Sequence, residues 1–201
     1  MNYNRYKYLV LSDMYRYGGK KGLKSFLKTI LRIEGFKYTF WHRTVSYSGK
    51  KMALKYTVYP IARLILSHYG YKFGISIPKI TQIDSGFYIG HYGGIVINKR
   101  VIIGKNCNIS QGVTLGQANR GKRKGTPIIG DNVYMGPGAK IIGNVTIGNN
   151  VAIGANCVVT KDILDNSVVV GIPGTVISSD GSEGYVNFTD YDKKLRIKNN
   201  E

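Results

Sequence analysis

From Ile77 onward, aliphatic side chains return every six residues. Ile77, Ile83, Ile89, Ile95, Val101, Cys107 and Val113 form one row, and after an interruption Ile129, Met135, Ile141, Ile147, Ile153 and Val159 form another. Val133, Ala139, Val145, Val151, Cys157 and Ile163 make a companion row, and Gly130, Gly136, Gly148 and Gly154 each follow an aliphatic of the main row. A helix repeats every 3.6 residues and a half-buried strand every two, so neither accounts for a period of six. A solenoid does. Its coil has three flat sides with an aliphatic on each pointing into a narrow lumen, and glycine turns the corners, where positive φ is needed and a Cβ would clash. The expected fold is mainly β: a parallel β-helix of about five coils over residues 76–177.

Two places break the register. Ile89-Gly90 and Ile103-Gly104 lie two residues further apart than two hexads, and His91 stands at the start of that deviation. Leu115-Gly116 and Ile129-Gly130 are offset in the same way. Between them residues 117–126, QANRGKRKGT, supply no lumen side chain and are expected to leave the coil as a basic loop, the kind of element that carries binding work on a rigid scaffold.

Residues 1–75 are different. They hold 15 Lys and Arg against Asp13 and Glu34, while the whole chain has a net charge of +18. The spacing predicts an amphipathic helix over 20–33, with Leu23, Phe26, Leu27, Ile30 and Leu31 on one face and Lys24, Lys28 and Arg32 on the other. It predicts another helix over 52–69, with Val58, Ile61, Ile65 and Leu66 inward and Pro60 kinking it or opening its second part. Residues 36–46 read as a helix or an aromatic loop. A basic, tyrosine-rich segment suits an acidic polymer or an anionic membrane surface; no nucleic-acid motif accompanies it, so nucleic acid is not expected as a partner. No apolar run reaches the length of a membrane span and no signal peptide is recognisable, so a cytoplasmic protein is expected. Cys107 and Cys157 read as small core residues, and no metal site is expected. The polar tail, 178–201, reads either as a cover for the open edge of the last coil or as disordered chain.

The hexapeptide rows resemble those of the left-handed parallel β-helix acyltransferases. More specifically, GHYGGIVINKRVIIGKNCNISQGVTLG, VYMGPGAKIIGNVTIGNNVAIGANCVVTKDI and VVVGIPGTVI are similar to the catalytic domain of serine acetyltransferases. The resemblance implies a homotrimer with acetyl-CoA and acceptor meeting between subunits, His91 as general base, and direct transfer without a metal. A neutral imidazole taking the acceptor hydroxyl's proton is worth ~10²–10⁴-fold in rate. Backbone amides near Gly116 would meet the oxyanion. The resemblance further implies that Gly136, Ala139 and Ala155 flank the pantetheine arm and that Thr160 and Lys161 meet the nucleotide end.

Departures from that family's pattern bear on the acceptor. The aspartate that orients the histidine is replaced by Ser76, the residue before His91 is Gly90, and the Arg-His pair that holds the serine carboxylate reads Gly125-Thr126. Asp13, Ser76 and Tyr92 are the candidates for the acceptor side. A site for a zwitterion needs charge complementarity, so the expected acceptor is a glycan hydroxyl, in capsule, O-antigen or exopolysaccharide assembly, reached by peripheral contact with the membrane. Serine O-acetylation in cysteine biosynthesis is the alternative, and a non-catalytic glycan-binding solenoid the reading from another class.

Overall fold

In the computed structural model, which describes residues 1–195, the six-residue rows close into a three-sided tube. The first side stacks β1 (Ile75–Ser76), β4 (Ile95–Ile97), β7 (Thr114–Gly116), β10 (Lys140–Ile142) and β13 (Val158–Val159). The second stacks β2 (Gln82–Ile83), β5 (Ile102–Ile103), β8 (Ile128–Ile129) and β11 (Thr146–Ile147). The third stacks β3 (Tyr88–Ile89), β6 (Asn108–Ile109), β9 (Tyr134–Met135), β12 (Ala152–Ile153) and β14 (Val168–Val170), closed at its edge by the antiparallel β15 (Thr175–Ser178). The lumen is filled as the rows require: Ile95, Val101, Cys107, Val113, Met135, Ile141, Val151, Ile153 and Cys157 are fully buried.

Strand pairing locates the register breaks. Ile75 pairs with Ile95 and Ile89 with Ile109, 20 residues on, whereas Ile97 pairs with Leu115, 18 on. The two extra residues therefore lie in the corner between Ile89 and Ile95, where His91 sits. Leu115 pairs with Ile141, 26 on, and Ile141 with Val159, again 18 on, so residues 117–126 are the second insertion.

The corners correct one expectation. Gly130 and Gly136 do not adopt positive φ. They are glycine because the neighbouring coil passes close: a Cβ would stand 2.7 Å from Gly148 O and 2.9 Å from Ile153 O, respectively. At the corner between the second and third sides, positive φ is taken by Asn106, Asn132, Asn150 and Asn166, since a short amide side chain tolerates that region better than most. These asparagines form a ladder, each Nδ2 donating to the next Oδ1 at 2.9, 2.9 and 3.0 Å.

Five helices precede the tube: α1 (Tyr3–Tyr15), α2 (Leu23–Arg32), α3 (Glu34–Ser48), α4 (Met52–Lys55) and α5 (Val58–Phe73). Helix α1, which no apolar stripe announces, is capped by Asn2, whose Oδ1 accepts from Arg5 N at 2.8 Å. The predicted 52–69 helix divides into α4 and α5. Pro60 falls in the first turn of α5, where its missing N–H costs nothing, and Gly74 closes the helix at φ 61°. Its inward face also differs: Val58 and Ile61 are exposed, while Ala62, Leu66, Tyr69 and Phe73 face the protein. In α2 only Phe26 and Ile30 pack inward; Leu23, Leu27 and Leu31 stay in solvent.

The tail is described through residue 195; residues 196–201, which share the expectation of a cover or disordered chain, lie outside the described residues. It runs back along the third side, where Tyr185 stacks on Tyr134 at 4.5 Å and Ser182 Oγ donates to Asn132 O. It ends in α6 (Tyr191–Leu195), whose Tyr191 is buried against Tyr8 and Tyr15 of α1.

Candidate active site

The corner that carries His91 is built from outside the tube. Tyr17 hydrogen-bonds both backbone groups of Ile89, accepting from its N–H at 3.1 Å and donating to its carbonyl at 3.2 Å. Burial pushes the Tyr17 hydroxyl well above the ordinary phenol value, so it remains a donor. Gly35, at the start of α3, lets that helix lie directly on β3, since a Cβ there would overlap the Ile89 carbonyl oxygen. Immediately upstream, Ser12 Oγ accepts from Gly86 N at 3.1 Å and Asp13 from Phe87 N at 2.8 Å. Arg16 donates to Gly86 O, and Arg43 to Ile83 O and Asp84 O. Residues 83–89 are thus pinned along their length, and the chain then swings out through Gly90–Gly94. His91 and Tyr92 project from that swing into solvent. Among the described residues no hydrogen bond engages the imidazole. The Tyr92 ring leans on Phe73 at 5.1 Å.

Asp13 is not on the acceptor side. Its carboxylate is fully buried and bound by Arg43 Nε at 2.9 Å and Nη2 at 3.2 Å. Burial of both partners makes this ion pair part of the scaffold, facing away from any acceptor. Ala139 needs a similar correction: it is a lumen residue with no exposed surface and cannot touch a ligand. Gly136 is buried at a corner, where it allows two coils to approach. Ser76 is exposed on β1, across from Val96 of the next coil.

Ala155 is exposed on the same edge of the tube as His91. The backbone connects the two positions coil by coil: Gly112 N donates to Gly93 O at 2.7 Å, Gly138 N to Gln111 O at 2.8 Å and Asn156 N to Pro137 O at 2.8 Å. Three coil rises at 4.7–4.9 Å each put Ala155 roughly 14 Å along the edge from His91. Small residues line this track at Gly112, Gly138 and Ala155, leaving room for a slender chain. The track passes Lys140, on the adjoining β10, whose ammonium donates to Gly112 O.

Gly116, Thr160 and Lys161 lie on the other edge of the first side, where residues 117–126 emerge. Thr160 and Lys161 are exposed, and the loop folds back beside them through an Ala118–Gly125 bridge and an Arg123–Asp162 ion pair of 2.7 Å. Within one chain the side β1-β4-β7-β10-β13 separates this edge from His91. Residues that sequence reasoning missed are the supports, Tyr17, Gly35 and Arg43, and Lys140 on the outward row of β10. Only Lys140 had a signal, a cation at an outward strand position beside the lumen residue Ile141.

The profile of the bacterial transferase hexapeptide (six repeats) matches residues 126–161. A serine acetyltransferase from Bacillus pumilus (strain SAFR-032) is 35% identical over 160 residues, which is 80% of this chain and 71% of that one. One from Staphylococcus xylosus is 46% identical over 123 residues, covering 61% and 57%. The solved serine acetyltransferase from Brucella abortus strain S19 in complex with coenzyme A superposes with a TM-score of 0.72 at 26% identity, over 89% of this chain and 70% of that one. These similarities confirm the left-handed parallel β-helix with a small helical N-terminal segment. They also overturn the expectation of a glycan O-acetyltransferase, since the matched relatives carry the serine activity. That expectation rested on Gly125 and Thr126, which lie where the extruded loop rejoins the tube beside the Ala118–Gly125 bridge. The chain is an acyltransferase, and it belongs to the serine acetyltransferase family of hexapeptide-repeat enzymes.

Proposed function

We propose that the protein transfers the acetyl group of acetyl-CoA to the hydroxyl of L-serine, with His91 as general base. The observation that carries this reading is an exposed imidazole on a two-residue insertion, at the head of an edge whose small residues leave room for a pantetheine arm down to Ala155. His91, neutral, accepts the serine hydroxyl proton as that oxygen attacks the thioester carbonyl. The tetrahedral adduct collapses with cleavage of the C–S bond, and the imidazolium returns the proton to the departing thiolate. The products are O-acetylserine and CoA. Lys140 adds positive charge beside the track, and Thr160 and Lys161 suit the phosphates of the donor.

A homotrimer belongs to the same proposal. In it, the loop edge of one subunit would meet the His91 edge of its neighbour, bringing together groups that a single chain keeps apart. Arg120, Lys122 and Lys124, all exposed on the loop, then become candidates for the serine carboxylate, in place of the missing Arg-His pair. Residues 1–75 serve as the brace and residues 76–177 as the reactive unit, with the tail from 178 to 195 as a strap. The two buried free thiols, Cys107 and Cys157, favour a reducing compartment such as the cytoplasm.

The experiment is CoA release from acetyl-CoA with and without L-serine. Serine-dependent release is expected, with His91→Ala lowering kcat ~10²–10⁴-fold. Undiminished turnover by His91→Ala would remove the imidazole from the chemistry, and release with simple sugars but not serine would overturn the acceptor.

A further inference from the structure

We infer that α2 is an interfacial helix that seats the protein on an anionic lipid surface. Helix α2 buries none of its ten residues fully. Phe26 and Ile30 attach it to α3 through edge-on contacts of Phe26 with Phe36 at 5.8 Å and Phe40 at 5.7 Å. Its other apolar side chains are left largely in solvent, Leu23 at the rim of a groove it shares with Leu11, Met14 and Leu195. Leu23, Leu27 and Leu31 are 73%, 50% and 73% exposed, one turn apart in a single stripe. Ile33, just beyond the helix, is itself 36% exposed.

Cations flank this stripe. Lys24, Lys28 and Arg32 each follow one of the three leucines and are exposed, and Lys20 and Lys21 precede the helix, also exposed. Residues 1–33 hold eight Lys and Arg against one acid, Asp13, which is sealed in its pair with Arg43. Of the other acids in this part of the molecule, Glu34 is a single half-buried residue at the start of α3, and Asp190 and Asp192 are held against α1, accepting from Tyr15 and Tyr8. An apolar ridge bordered by long basic side chains is the chemistry of a helix lying in a bilayer interface, with leucines among the acyl chains and cations at the phosphates.

A second copy of this chain is the less favoured occupant. Docking two α2 faces would oppose two strongly basic surfaces, and three leucines on a ten-residue helix fall short of the ~800 Å² per partner that a stable dimer buries.

The test is co-sedimentation of the full chain with phosphatidylglycerol-containing vesicles, compared with the variant Leu23→Ser/Leu27→Ser/Leu31→Ser, which leaves every charge in place. The wild type should pellet with these vesicles and lose binding as salt rises. The variant should partition on the order of 100-fold more weakly, because the apolar contribution of three side chains is gone. Its sedimentation mass and its acetyl transfer without vesicles should match wild type, as expected for exposed residues. Equal pelleting of variant and wild type, failure of the wild type to pellet, or a fall in the variant's oligomeric mass would each overturn the proposal.

Discussion

Asp13→Asn separates a scaffold role from an acceptor role at a buried carboxylate. The change keeps the volume and leaves an oxygen to accept from Phe87 N, but removes the charge opposite Arg43. The Asp13 and Arg43 side chains are 1% and 6% exposed. Removing one partner of a buried pair costs ~3–5 kcal/mol, because the remaining charge is stranded. Arg43 keeps the carbonyls of Ile83 and Asp84, which argues for the low end, about 3 kcal/mol. For a chain of this length each kcal/mol lowers Tm by ~2–4 °C, so the variant should melt roughly 6–12 °C lower at equal protein concentration. The same loss loosens the segment before His91, so kcat should fall while the KM for serine stays within about twofold of wild type. Calorimetry and steady-state kinetics read both quantities. A variant that melts like wild type but shows a serine KM raised tenfold or more would refute this reasoning and return Asp13 to the acceptor site.

Other expectations follow from neighbouring groups. Burial, helped by Arg43, lowers the pKa of His42 to about 4. The unfolded chain takes up a proton near pH 6.5 that the folded chain refuses, so stability is lost as pH falls from 6.5 to 4. His42→Gln should therefore lose about 2–3 kcal/mol less than wild type between pH 7 and pH 4.5 in urea titrations; coincident losses would contradict the shift. Gly35→Ala should cost about 1–3 kcal/mol by overpacking against the Ile89 carbonyl, with a fall in kcat, and an unchanged Tm would show that α3 can slide. Tyr17→Phe strands two backbone groups of Ile89 and should cost ~1–3 kcal/mol, read by the same melt. The Cys107 thiol, pushed up to about 12 by burial, should resist alkylation at pH 8 until the protein unfolds; rapid labelling of the native protein would mean that the lumen opens.

The tube was legible because its lumen is narrow. Each side of a coil turns two side chains inward, such as Val133 with Met135 or Val151 with Ile153, so both six-residue rows persist whatever lies outside. The corner at His91 was legible for the same reason, since two added residues shift every later lumen position. The brace was not. Tyr8, Ser12, Asp13 and Tyr15 bury polar atoms whose partners lie tens of residues away in sequence or more, and no local period encodes that. In α2 the spacing gave the helix correctly, but it could not tell that Phe26 and Ile30 would find a partner while Leu23, Leu27 and Leu31 would not. The acceptor was the hardest to read, because Gly125 and Thr126, on which the reading turned, lie in the loop segment outside the coil register.

The asparagine rungs set a rule for how this tube can change. Each carboxamide gives to one storey and takes from the other, so the column has a direction, and its first member, Asn106, ends it with an idle acceptor oxygen. Whole storeys can be inserted or excised and the column reconnects. A shift of a single residue would put some other side chain at a left-handed corner and cut the column there. Length is therefore free to drift in steps of a full turn, while phase is locked.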